Sequence, residues 1–384
     1  MEKFKLTTWN IKHANRLLSD LASTNAKKKR YATARIEAVK EEIDALEADI
    51  LFVCEGPQGE TRAKKFFALV APQYDLITRG GDHNDYGMRN GTTASGAQWL
   101  WFLVRRGAGI DAQLLHLDKW RELTVPAYGE DIKPRSFRWN LALPRWKSGE
   151  KLHFSTDESH IHHRAPQVLQ LTIGEAFFEI IGCHLKSKHT TARPIGDVSD
   201  DKFFAKNPEL VAELVSDRIK LTTECTDIRH YINARFDADE TAPIIICGDL
   251  NDGPGKERIE RRFLYHDLVS VLQGDIFFAR RFLNHALFDL PEGERWSYFL
   301  DRGDALDPGR NPRILLDHIM FSQSMTGADT GDKFTYRAMG GAGLVEHEIH
   351  HRVTSARFNY ANTSDHLPVS MTFTRREDPN PEDP

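Results

Sequence analysis

The chain has 384 residues, 40% of them hydrophobic and 28% charged, with 51 Lys and Arg against 56 Asp and Glu and a formal net charge of -5 at pH 7. That is an ordinary soluble, globular composition, long enough for a large core. It excludes a surface coated in basic residues, so nucleic acid would have to be met by a local patch and bound cations. Met1 to Leu6 enters a strand directly and nowhere do 18 apolar residues run together, which predicts a cytoplasmic protein with no membrane association and no export signal.

In chain order, Phe4 to Ile11 reads as a strand carrying Trp9 and Asn10 at its end. Ile36, Val39, Ile43 and Leu46 recur at helical spacing and predict an amphipathic helix over Lys27 to Glu47; its basic start, Lys27 to Arg30, reads as a solvated face. The run Leu51, Phe52, Val53, Cys54 delivers Glu55. Strands are expected over Tyr74 to Arg79, Gln98 to Arg105 and Phe137 to Leu143, with a polar loop from Gly80 to Gly96, and Trp99 and Trp101 have the period-two spacing of packing residues. His160, His162 and His163 read as a polar loop at a site mouth. The next strand, from Phe177 to Gly182, leads to His184, Lys186 and Lys188.

Asn207 and Pro208 look like the cap and first turn of a helix buried through Val211, Leu214, Leu221, Cys225, Ile228 and Ile232. Ile244 to Cys247 runs into Gly248, Asp249, Leu250, Asn251. Leu315 to Phe321 carries Asp317 and His318, and Ser364, Asp365, His366 precede an alternating strand. Cys54, Cys183 and Cys247 read as buried packing in a reducing compartment. The tail Glu377 to Pro384 is expected to be disordered, leaving residues 1–376 as one domain.

Six strand-like segments thus present polar groups at one end. Desolvating such groups costs roughly 1 to 3 kcal/mol each on mutational scales unless they are paired. Their repetition favours one shared site.

Trp9-Asn10, Glu55 after an apolar strand, Arg164-x-Pro166, His184-Leu-Lys-Ser-Lys188, Gly248-Asp249-Leu-Asn251, Leu316-Asp317-His318 and Ser364-Asp365-His366 resemble, in order and context, the motifs of the endonuclease/exonuclease/phosphatase superfamily. The resemblance spans almost the whole chain. It implies a DNase I-like fold, a two-layer α/β sandwich with helices outside, and a metal-dependent hydrolase of phosphate esters. Hard oxygen ligands suggest Mg²⁺ or Mn²⁺, with Glu55, Asn10 and Asp365 as the ligand set. His366, oriented by Asp317, and Asp249 with Asn251 are the alternative bases. His184 and Asn251 would donate to phosphate oxygens, Arg164 would approach the same phosphate, and Lys186 and Lys188 would reach flanking ones.

A nuclease cutting DNA or RNA is the first expectation, and an esterase for an inositol phosphate, nucleotide or phospholipid headgroup the alternative. No obligate protein partner is implied. A rival motif, His347-Glu348-x-x-His351, spells a zinc-protease pattern, with Leu344, Val345 and Val353 compatible with a short helix, but it has no third ligand at a recognisable spacing. Insertions relative to the family, Thr190 to Pro208 and Gln323 to Asn362, are expected beside the site.

Overall fold

The computed structural model describes residues 1–80, 86–88, 97–127, 132–133, 138–147, 149, 151–188, 190, 192–255, 257–263, 267–301, 303–326, 334–355 and 363–376, with backbone alone at 132, 133 and 157. Most of the expected Gly80–Gly96 loop, Phe137 and the tail from residue 377 lie outside them.

In chain order the strands are β1 (Lys3–Asn10), β2 (Ile50–Pro57), β3 (Tyr74–Ile77), β4 (Gln98–Arg105), β5 (Ile110–Leu114), β6 (Ile132–Lys133), β7 (Arg138–Arg145), β8 (His153–His160) and β9 (Gln167–Ile173). There follow β10 (Ala176–His184), β11 (Ile244–Asp249), β12 (Asn284–His285), β13 (Tyr298–Phe299), β14 (Arg313–Ile314), β15 (Asp317–Phe321), β16 (Tyr336–Val345) and β17 (Val369–Arg375). The helices are α1 (Ala14–Leu21), α2 (Ala26–Leu46), α3 (Glu60–Val70), α4 (Leu117–Thr124), α5 (Phe203–Lys206), α6 (Pro208–Ala238), α7 (Arg258–Phe263), α8 (Leu268–Gln273) and α9 (His347–Ser355).

Two six-stranded sheets form the body, in the orders β16-β17-β1-β2-β4-β3 and β12-β15-β11-β10-β9-β5. One apolar cluster runs between them, joining Phe4, Phe52 and Phe102 of the first sheet to Phe178, Ile180 and Ile319 of the second. A second cluster packs α4, α6 and α8 on the outer face of the second sheet through Trp120, Leu221, Ile228 and Leu268. The two-layer α/β sandwich expected from the sequence is therefore the architecture observed.

Each sheet contains a parallel pair, and this places the site. β1 and β2 run parallel with Asn10 opposite Cys54, and β10 and β11 run parallel with His184 opposite Asp249. Helical crossovers join both pairs, so polar residues at the C-terminal ends of four strands gather at one end of the sandwich.

Helix α2 buries Ile36, Val39, Ile43 and Leu46, as its spacing predicts, and is capped by Asn25, whose side chain accepts from the amides of Lys27 and Lys28. Lys27 to Arg30 are exposed. In α6 the anticipated face is buried and Asn207 is the N-cap residue ahead of Pro208, as expected, but its side chain makes no capping hydrogen bond. Its amide instead accepts from Ile195 N and donates to Ile195 O and Phe203 O, tying the insertion from Thr190 to the helix. Leu344 and Val345 are not helical: they end β16, an edge strand, and α9 begins only at His347. Trp99 and Trp101 stack on each other at 5.8 Å inside the core, and all four cysteines are free and buried. No helix among the described residues is long and apolar enough to cross a membrane.

Candidate active site

At the strand ends the chain opens into a cleft of about 720 Å³ lined by Asn10, Glu55, Arg164, His184, Asp249, Asn251, Asp365 and His366, among others. Antiparallel pairing of β11 with β15 sets Asp317 directly opposite Asp249. Alternation along β15 then sends Asp317 toward the cleft and His318 to the other face, where it contacts His285 and Asp252 O.

His366 Nδ1 lies 2.7 Å from Asp317 Oδ2, which also accepts from Ser297 Oγ at 2.7 Å. That leaves His366 Nε2 facing Asp249 Oδ2 at 3.9 Å. The same Asp249 oxygen accepts from Asn10 Nδ2 at 2.8 Å and lies 3.3 Å from His184 Nε2, while Asp249 Oδ1 accepts from Asn251 N at 2.9 Å. Three nitrogen groups thus surround one anionic oxygen in a buried setting, where electrostatic interactions are strong. Burial opposes the charge on His366, but Asp317 and Asp249 outweigh it and raise its pKa. Burial raises that of Asp249 despite His366. Burial, with Arg164 nearby, pushes His184 well below the usual imidazole range.

Glu55 sits at an irregularity in the β2–β4 pairing and takes a left-handed backbone, φ 60°. Among the described residues, non-glycine positive φ occurs at Glu55, Asn251, His13 and the helix end Glu47. Three of these four belong to the cleft, and strained backbone of this kind persists where the surroundings over-determine it. Glu55 Oε2 accepts from His13 N at 2.6 Å and from the Gln98 amide. Burial would raise its pKa, yet the hydrogen bonds to His13 hold it at about 2. Gln98 Oε1 in turn accepts from Arg164 at 2.7 Å, so one glutamine bridges the anion and the guanidinium.

Asn10, Glu55 and Asp365 offer hard oxygen donors. Asn10 Oδ1 is buried with no hydrogen-bond partner, which fits a ligand atom awaiting a hard cation. Asp365 is held by Lys12 Nζ at 2.6 Å. Among the described residues the one group of three His or carboxylate side chains with ligand atoms within 4.8 Å is Asp249, Asp317 and His366. The His366–Asp317 hydrogen bond accounts for part of that proximity.

Not every residue singled out in the sequence reaches the cleft. Lys186 does not line it: β10 ends at His184, alternation stops there, and the Lys186 ammonium pairs with Asp217 at 3.1 Å. Lys188 lines the cleft but is nine-tenths buried among Asp252, Glu257 and Glu260, at 2.6, 2.8 and 3.2 Å. His160 and His162 are no polar loop at the mouth. Both are buried, paired with Glu224 at 3.1 Å and Asp227 at 2.9 Å on α6. In the rival zinc motif, His347 Nε2 contacts Glu294 O and its ring packs on Trp296, and no metal-ligating group forms there among the described residues. His13, Gln98, Ser297 and Tyr298 were not anticipated. Tyr298 lies over His366 with ring centroids 4.8 Å apart, a contact made only by tertiary packing.

Fold and site together define a two-sheet α/β protein whose cleft joins a carboxylate-oriented histidine to a cradle of oxygen donors. No protein-family model matches the chain, and no curated protein matches it. Among solved structures it is similar to TDP2 from C. elegans, at 14% identity over 97% of this chain and 75% of that one, with a TM-score of 0.48. It is also similar to the endonuclease/exonuclease/phosphatase from Bacteroides vulgatus, at 13% identity over 98% and 100% of the two chains, TM-score 0.49. D. rerio TDP2 complexed with single strand DNA product matches at 12% identity over 97% and 100%, TM-score 0.46. With TM-scores below 0.5, none of these likenesses decides what this chain does.

Proposed function

We propose that the chain is a divalent-cation-dependent phosphodiesterase of the endonuclease/exonuclease/phosphatase superfamily that hydrolyses nucleic-acid phosphodiester bonds. The observation that carries this reading is the arrangement around Asp249. Asn10 Nδ2, His184 Nε2 and His366 Nε2 surround one carboxylate oxygen, beside the oxygen donors of Glu55 and Asp365. Such a site offers donors to non-bridging phosphate oxygens and an acceptor for the proton of an attacking water.

Glu55, Asn10 and Asp365 would hold Mg²⁺ or Mn²⁺, which when bound supplies neutralisation of charge on the phosphate. Asp249, its Oδ1 fixed by Asn251 N, accepts the proton of the attacking water. His366, held by Asp317, keeps Nε2 directed into the cleft as a donor to the phosphoryl oxygens. His184 adds a second donor. Arg164, held in the cleft wall by Gln98, would present its guanidinium to the same phosphate.

The test is conversion of supercoiled plasmid to nicked or linear DNA with Mg²⁺ or Mn²⁺, beside an EDTA control and a His366→Ala protein. Metal-dependent nicking that disappears in the variant is expected. Plasmid left intact at high enzyme concentration, with hydrolysis of bis(p-nitrophenyl) phosphate retained, overturns the duplex-DNA reading in favour of a single strand, RNA or a small phosphate ester.

A further inference from the structure

A second concavity, of about 520 Å³, adjoins the cleft, and of the residues given a chemical role above only Asp365 lines it. The two meet at Asp365, which lines both. β13 explains how. Tyr298 and Phe299 are successive residues of a strand paired with Ile314 and Arg313, so their rings face opposite sides. Tyr298 lies on His366, while Phe299 turns into the second concavity and is 42% exposed there.

Trp296 walls the same space, its ring engaged by His347 at 4.5 Å and by the Arg313 guanidinium at 5.2 Å. The polar lining sets three carboxylates, Asp301, Glu348 and Asp365, beside the imidazoles of His347, His350 and His351, and among the described residues no Lys or Arg lines the space. A phosphate would find no guanidinium or ammonium there. A flat, uncharged ring with amino groups at its edge has an aromatic face to stack on and carboxylates to donate to.

We propose that this concavity receives a nucleobase from the nucleotide next to the cleaved phosphate, stacked on Phe299, with its amino edge toward Asp301 and Glu348. The inference rests on the phosphodiesterase reading and adds a preference for unpaired strands, since a base in a duplex must first be unstacked to enter. It also gives a role to the His347-containing insertion, which builds one wall.

The experiment uses single-stranded oligodeoxynucleotides with Mg²⁺, either intact or carrying one abasic nucleotide placed in turn at each position. Wild type should lose on the order of tenfold in kcat/KM when the abasic position falls next to the scissile bond, the usual scale of one base stacked on an aromatic ring. Phe299→Ala should lose a similar factor on the intact strand and little on that abasic strand, with Phe299→Trp restoring the difference. Equal cleavage of intact and abasic strands by wild type overturns the inference without any variant. An equal loss on both strands in Phe299→Ala also overturns it, by assigning the ring a general structural role. Failure to cleave any strand overturns the nuclease reading and this inference with it.

Discussion

Replacing Asp317 by Asn preserves the shape of a fully buried side chain and removes its charge. In the native site Oδ2 accepts from both His366 Nδ1 and Ser297 Oγ at 2.7 Å, and the amide oxygen of Asn can occupy the same place. What is lost is the charge-assisted character of the bond to the imidazole. Hydrogen bonds to charged groups contribute about 1.5 to 3 kcal/mol against about 1 kcal/mol for neutral ones, so the loss is about 1 to 2 kcal/mol. At 1.36 kcal/mol per factor of ten, kcat should fall by roughly 5- to 30-fold if His366 works charged in the transition state, with KM little changed. The assay is initial rates on a fluorogenic oligonucleotide at saturating Mg²⁺, with the melting temperature measured in parallel to exclude unfolding. A kcat within twofold of wild type in a protein of unchanged melting temperature would refute the role assigned to the pair.

Glu55→Gln removes the carboxylate held ionised at about 2 and should raise the Mg²⁺ concentration for half-maximal rate by at least about tenfold, read by titration calorimetry as well as by rate. Lys12→Ala frees Asp365 from its ammonium and should lower that concentration several-fold; no change in calorimetric affinity would remove Asp365 from the ligand set. Lys188→Met leaves Asp252, Glu257 and Glu260 short of a buried cation and should cost about 3 to 5 kcal/mol in denaturant unfolding, whereas a lysine serving only flanking phosphates would cost almost nothing.

The buried pairs on α6 predict a pH signature. Burial opposes charge on His162, but the hydrogen bond to Asp227 and the charges of Glu224 and Asp227 together raise its pKa, so its contribution is complete below about pH 6.5 and lost as pH rises through the folded value. Glu224 is lowered, with His160 and His162 overcoming burial, so its contribution is present above about pH 4.5 and lost as pH falls through its folded value. Asp227→Asn should therefore depress the melting temperature most in the acid half of a scan from about pH 4 to 9. A depression independent of pH would contradict the linkage.

The residues legible in the sequence were those at strand ends. Asn10, Glu55, His184 and Asp249 each follow an apolar run and Asp317 opens one, and a polar group at such a position has few stable places to go, so local pattern marked them. What escaped was decided by partners distant in the chain. His160 and His162 look like a polar loop until Glu224 and Asp227, more than sixty residues on, neutralise them in the core. Asn207 stands at the cap position beside Pro208, but an insertion competes for its amide. Strand β8, HFSTDESH, lacks the alternating apolar residues that mark a strand and forms by pairing with β7. Ser297 and Tyr298 carry no local signal, since their work is done entirely across space on Asp317 and His366.

The division of the cleft between two sheets has a consequence for synthesis. Asn10 and Glu55 come from one sheet, His184, Asp249 and Asp317 from the other, and His366 from the segment entering β17, which returns to pair with β1. On a ribosome the early strands emerge long before residue 366, and β1 cannot gain its neighbour β17 until then. A nascent chain can therefore hold Asn10, Glu55, His184, Asp249 and Asp317 while His366, and with it the bond to Asp317, is still missing from the cleft. The activity proposed above would then appear at docking rather than accumulate during elongation.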